Sequence, residues 1–310
     1  MELTEHADVE KSLDAGGLAP MVSVLIPAFN RAAYIKETVE SVLSQNYESI
    51  ELIVIDDGST DGTHEILTRY AEDGKITLLT HPGCDNRGQA ASLNLGLQSA
   101  HGEYLAILDS DDLFLPGKIE AQADYLSQHP DVGLVYGMGE GVDGEGHWLY
   151  DIHSPDHIEP NDPNAVLLDC YFLLPQNALV RRSVYEQVGL FEECFRAAQD
   201  HDMLIRIAEK TRFAFIPKKL FQYRRHGDSI SNNGQRRRWT NGFEILARAK
   251  ARYPYRSATI RKRRALLNYR MSQVCWQENK RVAAIGYLLK SGLLDPARGL
   301  NVVTGRERPD

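Results

Sequence analysis

A chain of 310 residues with 43% apolar and 25% charged side chains can build a soluble globular protein with a sizeable core, and its apolar runs are far too short to cross a bilayer. The net charge of −8 conceals a split: residues 1–235 hold 17 Lys+Arg against 38 Asp+Glu, a balance of −21, while residues 236–310 hold 18 against 5, a balance of +13. Cys84, Cys170, Cys194 and Cys275 are scattered with no CxxC pair, which argues against a zinc site or disulfide framework and predicts free thiols in a reducing compartment.

The first 20 residues are polar and acidic, without the basic and apolar regions of a secretory signal, so they read as an extension of a cytoplasmic protein. Short apolar runs then alternate with helix-like segments. VSVLIP (22–27) precedes a helical pattern through Tyr34, Ile35, Val39 and Leu43. ELIVI (51–55) precedes Ile66, Leu67 and Tyr70, and ITLL (76–79) precedes Ala90, Leu93 and Leu97. YLAIL (104–108) is a fourth strand and VGLVYG (132–137) a fifth. Near-continuous Val/Ile/Leu strands alternating with helices predict an α/β fold with a mostly parallel sheet covered on both faces. DGEG (143–146) marks a hairpin turn. A helix is expected near 199–210 and a strand at FAFIP. Beyond 235, ILARAKARY, IRKRRALLNYRMSQVCW and RVAAIGYLLKSGLL predict two or three basic amphipathic helices. The expected organisation is a polar extension (1–20), a domain at 21–234 with halves near 21–115 and 116–234, and a helical segment at 235–310.

In such sheets ligands bind beyond the carboxyl ends of the strands. Asn30 follows the first strand, Asp56 and Asp57 the second, and the cluster Asp109, Asp111, Asp112 the fourth. Three carboxylates after a buried strand repel one another unless a cation lies among them, and Mg²⁺ or Mn²⁺ suits all-oxygen ligands shared with substrate phosphates. Asp57 is placed to accept a hydrogen bond from a base or ribose. DDGSTDG (56–62) imitates a calcium loop but has Thr68 where a bidentate Glu is required, and Asp61 reads as a helix N-cap. PAFNRA has no glycine for a dinucleotide fingerprint.

The stretch VSVLIPAFNRAAYIKETVESVLSQNYESIELIVIDDGSTDGT, then NRGQAASLNLGL, GEYLAILDSDDLFLP, LPQNALVRRSVYEQVGLFEE, AAQDHDMLIRIAEK and FQYRRHGDSIS resembles family 2 glycosyltransferases of the GT-A fold over about residues 21–232. The resemblance implies that Pro27, Phe29, Asn30 and Asp57 line the nucleotide pocket, with Asp57 on the uracil edge and Arg87 and Gln89 near the donor sugar. It maps the DxD element to Asp109–Ser110–Asp111, favouring Asp112 on the metal and Asp111 on the ribose, with Asp111 also a candidate ligand. It makes Asp200 the catalytic base, preceded here by Gln199 where most relatives carry Glu. It makes His226 a further metal ligand or a diphosphate contact.

The expected function is therefore an inverting, metal-dependent transfer of a sugar from a nucleotide-sugar, with a UDP-sugar the first expectation, to the hydroxyl of a glycan or lipid-linked acceptor in polysaccharide or glycolipid assembly. A nucleotidyltransferase of similar layout and an inactive GT-A-like binding protein are the alternatives. The basic segment 236–310, with RRRW (236–239), RKRR (261–264), Trp239, Tyr269 and Trp276, suggests a peripheral seat on the anionic inner face of a membrane. Nothing base-reading accompanies it, so nucleic acid is not expected as a partner.

Overall fold

A computed structural model describes residues 19–169, 175–227 and 234–298. Cys170, nearly all of the N-terminal extension, and residues 228–231 of HGDSIS lie outside these. The other three cysteines are free thiols, Cys84 and Cys194 exposed and Cys275 buried.

The strands β1 (Val22–Ala28), β2 (Ile50–Asp56), β3 (Thr77–Thr80) and β4 (Tyr104–Ile107) run parallel in the order β3-β2-β1-β4. The sheet continues through β8 (Leu179–Arg181), antiparallel to β4, to β6 (Val132–Asp143), β9 (Arg212–Arg225) and the short β5 (Leu113–Phe114). The predicted hairpin is present: β7 (Trp148–Ile152) folds back on β6, and Asp143 N–H donates to the His147 carbonyl across the turn. The fifth strand extends well past the predicted 137, because small residues at Gly137, Gly139 and Gly141 let β6 lie flat under Leu220, Phe221 and Tyr150.

β1 is buried along its whole length because both faces of the sheet are covered. Val22, Val24 and Ile26 meet α1 (Ile35–Leu43), α2 (Thr63–Glu72) and α4 (Lys118–Gln128), whereas Leu25, Ile53 and Ile55 meet α3 (Gln89–Ser99). Each such side chain contributes roughly 1.5–3 kcal/mol by leaving water, which fixes where the strands end. Asp61 acts one residue earlier than a standard cap. Gly62, in the left-handed region at φ 95°, opens α2, and Asp61 accepts from the N–H and hydroxyl of Thr63.

The second half adds α5 (Pro163–Leu168), α6 (Arg182–Val188) and α7 (Gln199–Ala208). Three basic helices follow: α8 (Gln235–Arg252), α9 (Ser257–Gln277) and α10 (Arg281–Leu294). α8 and α9 send Trp239, Ile245, Leu246, Leu267 and Met271 into the same core as α3 and α7. Their arginines reach back to the acidic body through Arg248–Glu192, Arg252–Glu209 and Arg256–Asp162. Trp239 and Tyr269 are thus core residues and are unavailable as membrane anchors; Trp276 stays exposed.

Candidate active site

The carboxyl ends of β1, β2 and β4 open into a cleft of about 380 Å³, a size usual for small-ligand sites. Its walls include Pro27, Phe29, Asp57, Arg87, Gln89, Asp109, Asp111 and Asp200. The sequence-predicted residues therefore converge from positions 27 to 200, with three departures in detail.

Asn30 does not line the cleft. It sits at φ 52°, its side-chain Oδ1 accepts from Thr60 N–H at 2.8 Å, and its backbone N–H donates to Ser59 Oγ at 3.0 Å. It staples the loop after β1 to the loop after β2, holding Phe29 at the rim. Asp57 lies at the back of the cleft, where its carboxylate accepts the backbone N–H groups of Arg87 (2.7 Å) and Gly88 (2.8 Å). That grip ties the loop after β2 to the turn before α3 and shapes this wall of the cleft. Gly58 and Gly88 are required there: at φ 78° and 88°, an added Cβ would come within 2.5 Å of the Cys84 carbonyl and the Arg196 guanidinium respectively.

The third departure concerns Asp112. It is buried and turned away from the cleft, accepting from Gln176 Nε2 at 2.7 Å and from Arg224 N–H at 2.8 Å. The favoured assignment of Asp112 to the metal and Asp111 to the ribose is not what this geometry offers, since successive residues at a strand end point in different directions. Asp111 faces the cleft. Its Oδ2 receives Arg31 Nε at 2.9 Å and meets His226 Nε2 at 3.0 Å. His226 is buried against the Tyr34 ring, and its Nδ1 has no partner among the described residues.

Asp109 forms the floor between these walls. Burial first, then the charges of Asp111 and Asp200, push its carboxyl up to about 7. Burial, with Asp109 and Asp111, also raises Asp112. A chain of amides steadies the floor: Gln89 Nε2 donates to Asp109 at 2.8 Å, and Gln199 Nε2 donates to Gln89 Oε1 at 2.6 Å. Asp200 stands at the start of α7, partly exposed to the cleft. The residue before that helix, Ala198, holds a left-handed φ of 63°, unusual for a residue with a side chain.

Several cleft residues were not anticipated. Arg31 and Arg196 enter from loops, and Arg237 and Arg238 enter from the first turn of α8. The RRRW run thus faces the cleft with two of its arginines, while Trp239 faces the core. The spacing of Trp239, Gly242, Leu246 and Ala249 carries that signal, a buried stripe at helical period. Arg224 is held by Glu37 at 2.6 Å over the Tyr34 ring.

A cleft at the carboxyl ends of parallel strands, floored by carboxylates and walled by arginines, stands where open α/β sheets bind their ligands. The comparisons with known proteins make this specific. Residues 23–189 match the model of glycosyl transferase family 2, and the chain belongs to that family and is a glycosyltransferase. An uncharacterised glycosyltransferase of Rickettsia typhi is 31% identical over 225 residues, 69% of this chain and 67% of the relative. Two longer Rickettsia glycosyltransferases are matched over 36% of their length. Among solved structures, Staphylococcus aureus TarS 1–349 in complex with UDP-GlcNAc superposes with a TM-score of 0.66 at 18% identity, covering 87% of this chain and 81% of that one. A mannosyltransferase from Pyrobaculum calidifontis with GDP-Man and Mn²⁺ gives 0.60 at 22% identity, over 91% and 81%. Both likenesses support the GT-A fold. Family membership decides against the nucleotidyltransferase reading.

Proposed function

We propose that the protein transfers a sugar from a nucleoside-diphosphate sugar to an acceptor hydroxyl with inversion at the anomeric carbon, assisted by a divalent cation. One observation carries this reading: Asp111, backed by the buried His226 at 3.0 Å, and Asp200 share a single arginine-lined cleft. The fold neighbours with UDP-GlcNAc and with GDP-Man support a nucleotide-sugar donor, and a UDP-sugar is the first to test. The acceptor we assign to the class of glycans or lipid-linked glycans, reached through the open side of the cleft.

The residues fit a hard divalent ion. Asp111 and His226 bring a carboxylate oxygen and an imidazole nitrogen within 3.0 Å of each other, donor types that such an ion accepts. Among the described residues, no three acidic, His or Cys side chains group as a complete cage. Asp111 and His226 would hold it, with Asp109 below, and it would supply charge neutralisation for the departing diphosphate. Arg87, Arg196, Arg237 and Arg238 add fixed positive charge along the cleft. Asp200 accepts the proton of the acceptor hydroxyl as that oxygen bonds to the anomeric carbon. The bond from that carbon to the diphosphate oxygen breaks on the opposite face, so no covalent enzyme intermediate forms.

The test is release of free nucleoside diphosphate from a panel of UDP- and GDP-sugars with Mn²⁺ or Mg²⁺, together with NMR of the product. A product with retained anomeric configuration, or full turnover in excess chelator, would refute the mechanism.

A further inference from the structure

The helix α10 closes the chain's last described layer and leaves one face unpartnered. Ala284 and Ser291 face α9, and Ser291 Oγ donates to the Ala265 carbonyl at 2.8 Å. The other side presents Val282, Ile285, Leu288, Leu289 and Leu293 to solvent, with Val282 87%, Leu293 82% and Leu289 64% exposed. Positions 282, 285, 289 and 293 follow helical spacing and form one stripe. Trp276, exposed at the end of α9, extends the apolar surface, with the Arg281 guanidinium 4.0 Å over its ring. A contiguous patch of this kind on a folded protein marks an interaction surface.

Its charge decides between occupants. Neither α9 nor α10 contains an Asp or Glu, and the stripe is rimmed by Lys280, Arg281 and Lys290, with Glu278 between the helices already paired to Arg236 and Lys280. A second copy placed on the stripe would set lysine and arginine against lysine and arginine, with no carboxylate of either helix to answer them. An apolar stripe with a cationic rim fits an anionic lipid surface, where the aliphatic and indole groups enter the acyl boundary and the cations meet headgroup phosphates. No helix among the described residues is long and apolar enough to cross a membrane. We infer that the α10 face, with Trp276, seats the protein on an anionic membrane surface. The arginine run at 236–239 serves the cleft and the core instead.

Sedimentation of the full chain with phosphatidylcholine vesicles, with and without phosphatidylglycerol, tests the inference independently of any sugar transfer. Binding is expected only to the anionic vesicles and should fall as salt is raised. Leu289→Asp and Leu293→Asp should each weaken it at least about tenfold, since each removes a large apolar side chain from the contact and adds repulsive charge. Because both side chains are exposed, the melting temperature should not move. Lys290→Glu should weaken binding in proportion to the anionic lipid fraction. A blue shift of tryptophan emission on vesicle addition, lost in Trp276→Phe, reports the indole entering the interface. Protein that stays in solution with anionic vesicles at low salt would overturn the inference. So would equal binding by wild type and both aspartate variants. A dimer in light scattering that Leu289→Asp splits, without vesicle binding, would assign the face to a second copy and overturn it equally.

Discussion

Lys118 is fully buried at the start of α4, and burial lowers its ammonium from the ordinary 10.5 to about 7. It donates to Gln122 Oε1 and, at 3.4 Å, to the Asn177 carbonyl, and lies 4.4 Å from the centre of the Phe114 ring. Between pH 7 and 10.5 the unfolded chain holds this proton and the native protein does not, so the free energy of unfolding rises with pH across that window. The gap between the two values is worth about 5 kcal/mol in total, or about 1.4 kcal/mol for each pH unit. Below pH 7 the lysine is charged in both states and the whole penalty applies. Lys118→Met keeps the length and the Phe114 contact, removes the titration, and gives up two hydrogen bonds worth about 1 kcal/mol each. Urea unfolding of both proteins from pH 6.5 to 9.5 isolates the effect, because every other group cancels in the difference. The variant should be the more stable at pH 6.5, and its advantage should shrink steadily toward pH 9.5 and vanish or reverse. Parallel stability curves for the two proteins would show that Lys118 does not titrate in this window and refute the reasoning.

Asp200→Asn should lower turnover about 10²–10⁴-fold while leaving calorimetric donor affinity near wild type; an active variant would remove Asp200 as the base. Asp111→Asn and His226→Ala should each weaken UDP binding in Mn²⁺ and leave it little changed in EDTA, and equal affinities in Mn²⁺ would refute the ligand pair. Gly88→Ala should destabilise the protein by about 1–3 kcal/mol and loosen nucleotide binding. It forces a side chain into a glycine-only conformation against Arg196, which thermal melts with and without UDP would register.

The parallel half of the sheet was readable because β1, β2 and β4 are buried on both faces and so spell continuous apolar runs. The carboxylates were readable because they interrupt such a run. What Asp109, Asp111 and Asp112 each do was not readable, because three neighbours in a tight turn point at the floor, the cleft and the interior. The turn is closed by partners far away in sequence: Gln176 and Arg224 for Asp112, Arg31 and His226 for Asp111. The basic tail misled for a different reason. Its charge total says nothing about which turn of each helix faces inward, and Trp239 amid arginines looks amphipathic until the burial of Ile245 and Leu246 shows the stripe it belongs to. In α10 the amphipathic pattern was readable, but not that Leu289 and Leu293 lie in solvent.

The amide chain from Gln199 through Gln89 to Asp109 has a direction. Gln199 gives a hydrogen to Gln89, which can then give one of its own to Asp109. Glutamate at 199 would offer only acceptors. Gln89 would have to turn its amide over to meet it, and its oxygen would then confront the Asp109 carboxylate. The two glutamines are therefore coupled through one hydrogen-bond direction, and Gln199→Glu should disturb the orientation of Gln89 against Asp109 as well as its own position.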